Sequence, residues 1–473
     1  MMEANGGSAP PPPPPAMHVA MFPFFAFGHI SPFIQFSNKL LADPTIKISF
    51  LSPPSAIPRI SSSLSSSAHI VPLKIPSIQG LPPGLDTTAD MTPPQTELLK
   101  KAVDEMKPDI EALLRRLRPH VIFHDFTHQW LASIASPLNI KTFMFSVFSA
   151  ISGAYVMVPA RLQSPHISPT LVDLKNPPPD FPPNTAARLK SYEAKELLYA
   201  FTEFGGPSVY NRVVACNNSS SAIVLKTCME MEAPYIEFIQ AQYGKPVLLA
   251  GPVVPGSPVG PLDERWASWL GRFPKRSVVV SSFGSETRLR DDQMRELLLG
   301  LEMLGSPFLV VLNFPDEDDP AACLRAALPE GFEERVKDRG VVHTGWVQQP
   351  HILAHDSVGC FVCHAGFSSV AEGLVSDCQL VMLPCRGDQF LNARLVSGDL
   401  KAGVEVKRDE ESGSFAREDV CAAVKAVMEG GEKEPGKTVR ENHAKWRDFL
   451  VGVREQDQVF KGFVEKMKEM VLN

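Results

Sequence analysis

The sequence predicts an α/β protein made of two similar domains that face each other across a cleft. Three observations lead there. The 473 residues amount to about three domains of ~150 residues, so a single small module is excluded. Short apolar runs alternate with stretches of helical spacing, the rhythm of a parallel sheet covered by helices. That rhythm breaks at 251–261, where four prolines and three glycines in eleven residues exclude a continuous helix or central strand, and then it restarts.

Residues 1–16 hold a run of proline from Pro10 to Pro15 and nothing to bury, so they read as a disordered Pro-rich head outside the fold. The N-terminal domain is expected over 17–250. Its first strand is the apolar run 18–22, followed by a loop through Gly28, a helix carrying Ile30, Phe33, Ile34, Leu40 and Leu41, and an alternating strand at 46–50. Runs at 121–123 and 142–145 supply further strands, whereas the Ser-rich 61–67 and Pro-rich 177–183 read as surface loops. A linker is expected over 251–264 and the C-terminal domain over 265–455, with strands at 278–281, 308–311, 360–362 and 379–383. The last segment, 456–473, places Phe460, Phe463, Val464, Met467 and Val471 on one helical face that must pack on something.

Charge narrows the function classes. Lys and Arg number 46 against 53 Asp and Glu, a net −7, so no basic field attracts nucleic acid. A cytoplasmic protein without an integral membrane segment is expected, because the N-terminus has no basic and apolar leader and no stretch reaches the ~20 apolar residues of a span. Eight cysteines scattered along such a chain fit reduced thiols better than a disulfide framework, and the Asn-x-Ser matches at Asn217 and Asn218 are expected to stay unglycosylated.

The stretch 346–389, WVQQPHILAHDSVGCFVCHAGFSSVAEGLVSDCQLVMLPCRGDQ, carries the most chemistry. After the apolar run 360–362, the segment His364-Ala365-Gly366-Phe367-Ser368-Ser369 should turn into a helix, presenting free backbone N–H groups and the positive dipole end to a phosphate. Gly366 allows close backbone approach, His364 and Ser369 can donate to phosphate oxygens, and Glu372 can accept from a vicinal diol such as ribose. A second phosphate loop is read at Ser281-Ser282-Phe283-Gly284-Ser285, behind the apolar Val278-Val279-Val280. In the other domain, His29 follows the first strand and Asp125 ends another, positions where open α/β sheets hold their chemistry. An imidazole, titrating ordinarily at about 6.5, offers free base at neutral pH.

Simpler readings compete. Cys360-Phe361-Val362-Cys363-His364 matches a haem-attachment or CxxC pattern, but no second Cys pair or export signal accompanies it and the run reads as a buried strand. His124 and His128 have the spacing of a zinc pair without its helical context. Phe22, Phe24, Phe25 and Phe27 fit core packing as well as an acceptor pocket.

Taken together, Trp346, Gln349, His364, Gly366, Ser369, Glu372, Pro384, Asp388 and Gln389 fall in register on the signature box of plant family 1 UDP-glycosyltransferases, which the chain resembles from residue 17 onward. The resemblance implies the GT-B fold, two Rossmann-like domains, with the last helix crossing back to the first domain. It implies a UDP-sugar co-substrate bound by Ser285, Trp346, Val347, Gln349, His364, Gly366, Phe367, Ser368, Ser369, Glu372, Asp388 and Gln389, with Trp346 stacking on uracil and Asp388 and Gln389 holding sugar hydroxyls. It further implies His29 as general base, Asp125 as the group that orients it, no metal and no other cofactor, a small hydrophobic or glycosylated acceptor, and a monomer. Phe367-Ser368 replace the commoner Trp-Asn, and Asp377-Cys378-Gln379 replace Gly-Val-Pro. These variants, with Leu81-Pro82-Pro83-Gly84, Thr87-Thr88, Asp125-Phe126 and Trp130, are similar to the subgroup that adds glucose, xylose or rhamnose to the sugar of a flavonoid or terpenoid glycoside. An enzyme acting on a bare aglycone is the first alternative. A non-catalytic UDP-sugar-binding protein is the second, and the presence of His29 and Asp125 argues against it.

Overall fold

The computed structural model describes residues 17–162, 167–252, 254, 258, 260–284, 287–314, 319–429 and 433–472. The Pro-rich head and Ser285 lie outside the described residues.

Among the described residues, two wholly parallel sheets form. The first has seven strands: β1 (Met17–Phe22), β2 (Ile46–Ser52), β3 (His69–Pro72), β4 (Val121–His124), β5 (Lys141–Ser146), β6 (Ala222–Leu225) and β7 (Val247–Leu249), in the order β3-β2-β1-β4-β5-β6-β7. The second has six: β8 (Val278–Ser282), β9 (Phe308–Leu312), β10 (Gly340–Thr344), β11 (Val358–Cys363), β12 (Gln379–Met382) and β13 (Gly403–Glu405), in the order β10-β9-β8-β11-β12-β13. Helices cover both faces of each sheet, so the central strands are continuous apolar runs with every residue of β4, β8, β9 and β11 buried. Even β2, whose sequence alternates, exposes only Lys47.

Strand order reverses between β1 and β4 in one domain and between β8 and β11 in the other. At such switch points the loops leaving the carboxyl ends of neighbouring strands diverge and leave a crevice. Register makes the ends flush, Phe22 beside His124 and Ser282 beside Cys363.

The five strands that the sequence reading passes over are β3, β6, β7, β10 and β13, four of which are sheet edges. Edge strands are short and half-solvated, as in the exposed–intermediate–buried–exposed pattern of β3, and they carry little apolar signal. One boundary differs in a way that matters. The first helix runs Phe27–Leu40, so His29 belongs to its first turn and not to a loop. Phe27 is half-buried and Gly28 exposed, which is why apolar periodicity begins only at Ile30.

The helix Glu264–Leu270 starts on the last residue of the segment read as a linker, and it buries Trp266 and Leu270. The final helix, Val453–Leu472, lays Phe463, Val464 and Met467 into the core of the first domain, with the Phe463 ring 5.5 Å from Phe36 and Lys468 Nζ 2.7 Å from Asp43 Oδ2. An apolar cluster runs unbroken between the domains, joining Tyr155 and Tyr235 of the first to Phe390 and Leu395 of the second. Polar bonds pin it: Ser149 Oγ to Asn392 Oδ1 at 2.6 Å, Tyr235 Oη to Asp399 Oδ2 at 2.5 Å, and Arg394 Nη2 to both Glu193 oxygens at 2.7 and 3.0 Å.

Candidate active site

The two switch points open onto one cleft. On the first-domain side, Asp125 follows β4 and is fully buried. Its Oδ2 accepts from His29 Nδ1 at 2.7 Å and from Phe24 N at 3.2 Å, and its Oδ1 accepts from Phe126 N at 2.7 Å. Burial alone would raise this carboxyl, but the His29 ring and the two backbone donors outweigh it and hold the group below its usual value. An ionised carboxylate only accepts, so His29 carries its proton on Nδ1, which puts its basic lone pair on Nε2. Phe24, Phe126 and Phe148 enclose the imidazole with ring centres 5.7, 5.4 and 5.6 Å away, leaving its side chain 15% exposed. A base so held can take a proton from a hydroxyl placed against an aromatic wall.

Phe22 and Phe25 are core residues, and Phe27 packs under Arg59. His124 bonds Ser220 Oγ at 2.8 Å, and burial lowers it to about 4. The His128 ring lies flat against Phe22, while its Nδ1 accepts from Asp125 N at 3.3 Å, so it braces the aspartate loop.

On the second-domain side, β11 ends at Cys363, its two cysteines being buried and free. The chain turns through Ala365, in the left-handed region at φ 60°, into a helix spanning Phe367–Val375 with Gly366 as its N-cap. A Cβ on Gly366 would stand 2.5 Å from His364 Nε2, so the close approach that requires glycine here is to the His364 ring. Gly284, at φ 72°, meets the same ring from the loop after β8. His364 is half-buried; desolvation, then the charge of Arg386, lower it to about 4 against a backbone interaction at Ser282, leaving it a neutral donor. Ser369 is half-buried in the first turn of this helix, where an anion meets unsatisfied N–H groups.

Glu372 lies further along the helix and accepts from Gln349 Nε2 at 2.5 Å, which ties the two residues into one unit. Burial raises the Glu372 carboxyl despite Gln349 and Lys226. Trp346 is 73% exposed, whereas Val347 packs inward. Asp388 and Gln389 open the helix after β12. Burial raises Asp388 in spite of Asn392, whose Nδ2 donates to Asp388 Oδ2 at 2.9 Å, and the charges of His29 and Lys226 also reach it. Gln389 differs from its expected role in part: its Oε1 accepts from the backbone N–H of Cys385 and Arg386 at 2.9 and 3.0 Å, so that oxygen holds the loop.

Two residues escaped the sequence reading. Asn392, fully buried, joins Asp388, the Ala365 carbonyl at 2.9 Å and Ser149 of the facing domain. Its signal was the four-residue spacing from Asp388 on one helical face. Lys226, just past β6, projects across the cleft to Ser368 and Phe367, and its apolar sequence neighbours concealed it.

Residues 197–438 match the family model described as UDP-glucoronosyl and UDP-glucosyl transferase. The chain is also 52% identical over 458 residues to the anthocyanidin-3-O-glucoside rhamnosyltransferase of Petunia hybrida, covering 96% of this chain and 97% of that one. It belongs to the UDP-glucoronosyl and UDP-glucosyl transferase family. It is thus a UDP-glycosyltransferase, similar as well to the anthocyanidin 3-O-glucoside 2''-O-glucosyltransferase of Ipomoea nil, at 41% identity over 96% of this chain and 98% of the relative. In fold, this glycosyltransferase matches Glycyrrhiza uralensis UGT73P12, solved with glycyrrhetinic acid 3-O-monoglucuronide, at a TM-score of 0.75 and 21% identity over 97% and 96% of the two chains. The GT-B architecture of two Rossmann-like domains therefore holds. Among the described residues of this family member, no helix is long and apolar enough to cross a membrane.

Proposed function

We propose that this glycosyltransferase moves glucose, xylose or rhamnose from a UDP-sugar, with inversion, to a sugar hydroxyl of an existing flavonoid or terpenoid glycoside. The His29–Asp125 pair, opening on the cleft opposite the helix Phe367–Val375, carries the reading. On it, the acceptor hydroxyl gives its proton to His29 Nε2 as its oxygen attacks the anomeric carbon, and Asp125 balances the imidazolium that forms. UDP leaves toward His364, Ser369, Ser285 and the helix N-terminus, which take the place of a metal in steadying the diphosphate. Trp346 and Gln349 receive the uracil, Glu372 the ribose, and Asp388 with the Gln389 amide nitrogen the transferred sugar. Phe367 borders the sugar and is the position expected to influence donor preference. Support for a glycoside acceptor comes from the relatives in Petunia and Ipomoea, whose names place both on anthocyanidin 3-O-glucosides.

A matrix of UDP-glucose, UDP-xylose and UDP-rhamnose against flavonoid glucosides and their aglycones, followed by UDP release and product mass, tests the reading. Diglycoside products, unchanged in yield by a metal chelator, are expected. Turnover confined to bare aglycones would overturn the acceptor assignment, and loss of turnover on chelation would overturn the metal-free one.

A further inference from the structure

Lys226 is a lysine in an unusual place. It follows β6 in the first domain, only 4% of it is exposed, and its ammonium points at the other domain. Nζ lies 3.3 Å from Ser368 Oγ and 5.0 Å from the centre of the Phe367 ring, the two residues that begin the helix behind the donor cleft. Among the described residues, the charges that face it are carboxylates: Asp388 and Glu372 from the second domain and Glu232 from its own. An ammonium withdrawn from water is costly unless charge of opposite sign surrounds it, and here the surrounding charge belongs to the donor side.

The carboxylates share the problem. Burial raises both Asp388 and Glu372. Asp388 is otherwise faced by Asn392 and His29, and Glu372 by Gln349, so Lys226 is the cation the two have in common. Glu232, also raised by burial, is turned to the backbone N–H of Ile151 at 2.8 Å. Burial lowers Lys226 itself to about 8, so it is mostly charged at neutral pH.

We propose that Lys226 is a positioning residue of the donor site: an ammonium supplied by the acceptor-binding domain, seated on Ser368 and Phe367 at the start of the donor helix, whose charge balances Asp388 and Glu372 where they meet the hydroxyls of sugar and ribose. The inference rests on the reading of these two carboxylates as donor contacts. It makes donor recognition depend on the facing domain, since the balancing charge comes from across the cleft.

Donor KM and kcat of full-length K226M, K226R and D388N, measured from about pH 5.5 to 8.5, test it, with circular dichroism confirming the fold. Without the ammonium the carboxylates protonate at higher pH, so the acid limb of 1/KM for K226M moves up by about one unit. On the acid side of that limb its donor KM rises about tenfold while kcat stays within about threefold, the difference narrows toward pH 8.5, and K226R stays close to the parent. Should K226M not fold, K226Q, which keeps a polar end for Ser368, takes its place. A donor KM and pH profile in K226M matching the parent overturn the proposal, as does an equal rise at every pH in both K226M and K226R, which marks mere packing. D388N separates the two readings. If it alone loses donor affinity, the role of Lys226 falls and the donor site stands; if it too is unchanged, the donor-site reading falls.

Discussion

His29 Nδ1 and Asp125 Oδ2 stand 2.7 Å apart although 96 positions separate them in the chain. Adjacent strands at the sheet's switch point bring them together, so the pair is a product of topology. If His29 is the base, H29A should lose about 10²–10⁴ in kcat and leave UDP affinity unchanged, because the donor cleft is built from other elements. UDP-release kinetics and calorimetric titration of UDP check both halves.

Asp125 acts through His29, so D125N should fold, bind UDP and lose kcat, by up to about 10⁴ if the wrong tautomer is favoured. Stability offers a second readout. The folded-state carboxyl is held below its usual value, so its contribution is fully present above the ordinary carboxylate range and is lost as pH falls through the lowered one. The gap in melting temperature between the parent and D125N should therefore be widest near neutral pH and close in acid. A gap that stays constant down to strongly acidic pH contradicts the ion pair.

How much of this was legible in the sequence follows from burial. Central strands such as 278–281 and 360–362 announce themselves because both faces are covered, whereas the edges β3, β7, β10 and β13 do not, nor does the central β6, wholly buried but only four residues long. The donor box was readable because its residues lie close in sequence around one strand-to-helix turn, His364 to Glu372. Contacts made across the cleft were not, since nothing local marks Asn392 as the partner of Ser149, or Lys226 as the partner of Ser368. Gly366 was singled out for close backbone approach at a phosphate, whereas the crowding visible around it is that of a side chain, the His364 ring.

That contact yields a sharp test. In G366A the new methyl group would lie 2.5 Å from His364 Nε2, so the ring must swing away from its place beside Gly284. Donor affinity should fall about tenfold or more with the melting temperature little changed, because the loss is of one aimed donor and not of core packing. UDP titration beside a thermal melt distinguishes this from general destabilisation.

The domain interface has its own weak point. Glu193 is fully buried, and Arg394 grips both its oxygens. R394M strands that carboxylate and should cost about 3–5 kcal/mol in urea unfolding, whereas R394M with E193Q should recover much of the loss. A double variant no better than the single one places the cost outside the Glu193 pair, in packing or in the bond from Arg394 to Glu405.

The final helix separates apolar from ionic docking within one short stretch. Phe463 is buried among Phe36, Phe123 and Phe460, so F463A should cost about 3–5 kcal/mol through the cavity it leaves. Lys468, one and a half turns on, reaches Asp43 from a position 30% exposed, and K468A should cost no more than about 1 kcal/mol, less in high salt. Paired unfolding curves at low and high ionic strength check the ranking. If K468A proves the costlier variant, the helix is held to the first domain by charge, and the apolar stripe that the sequence pattern singled out is not what docks it.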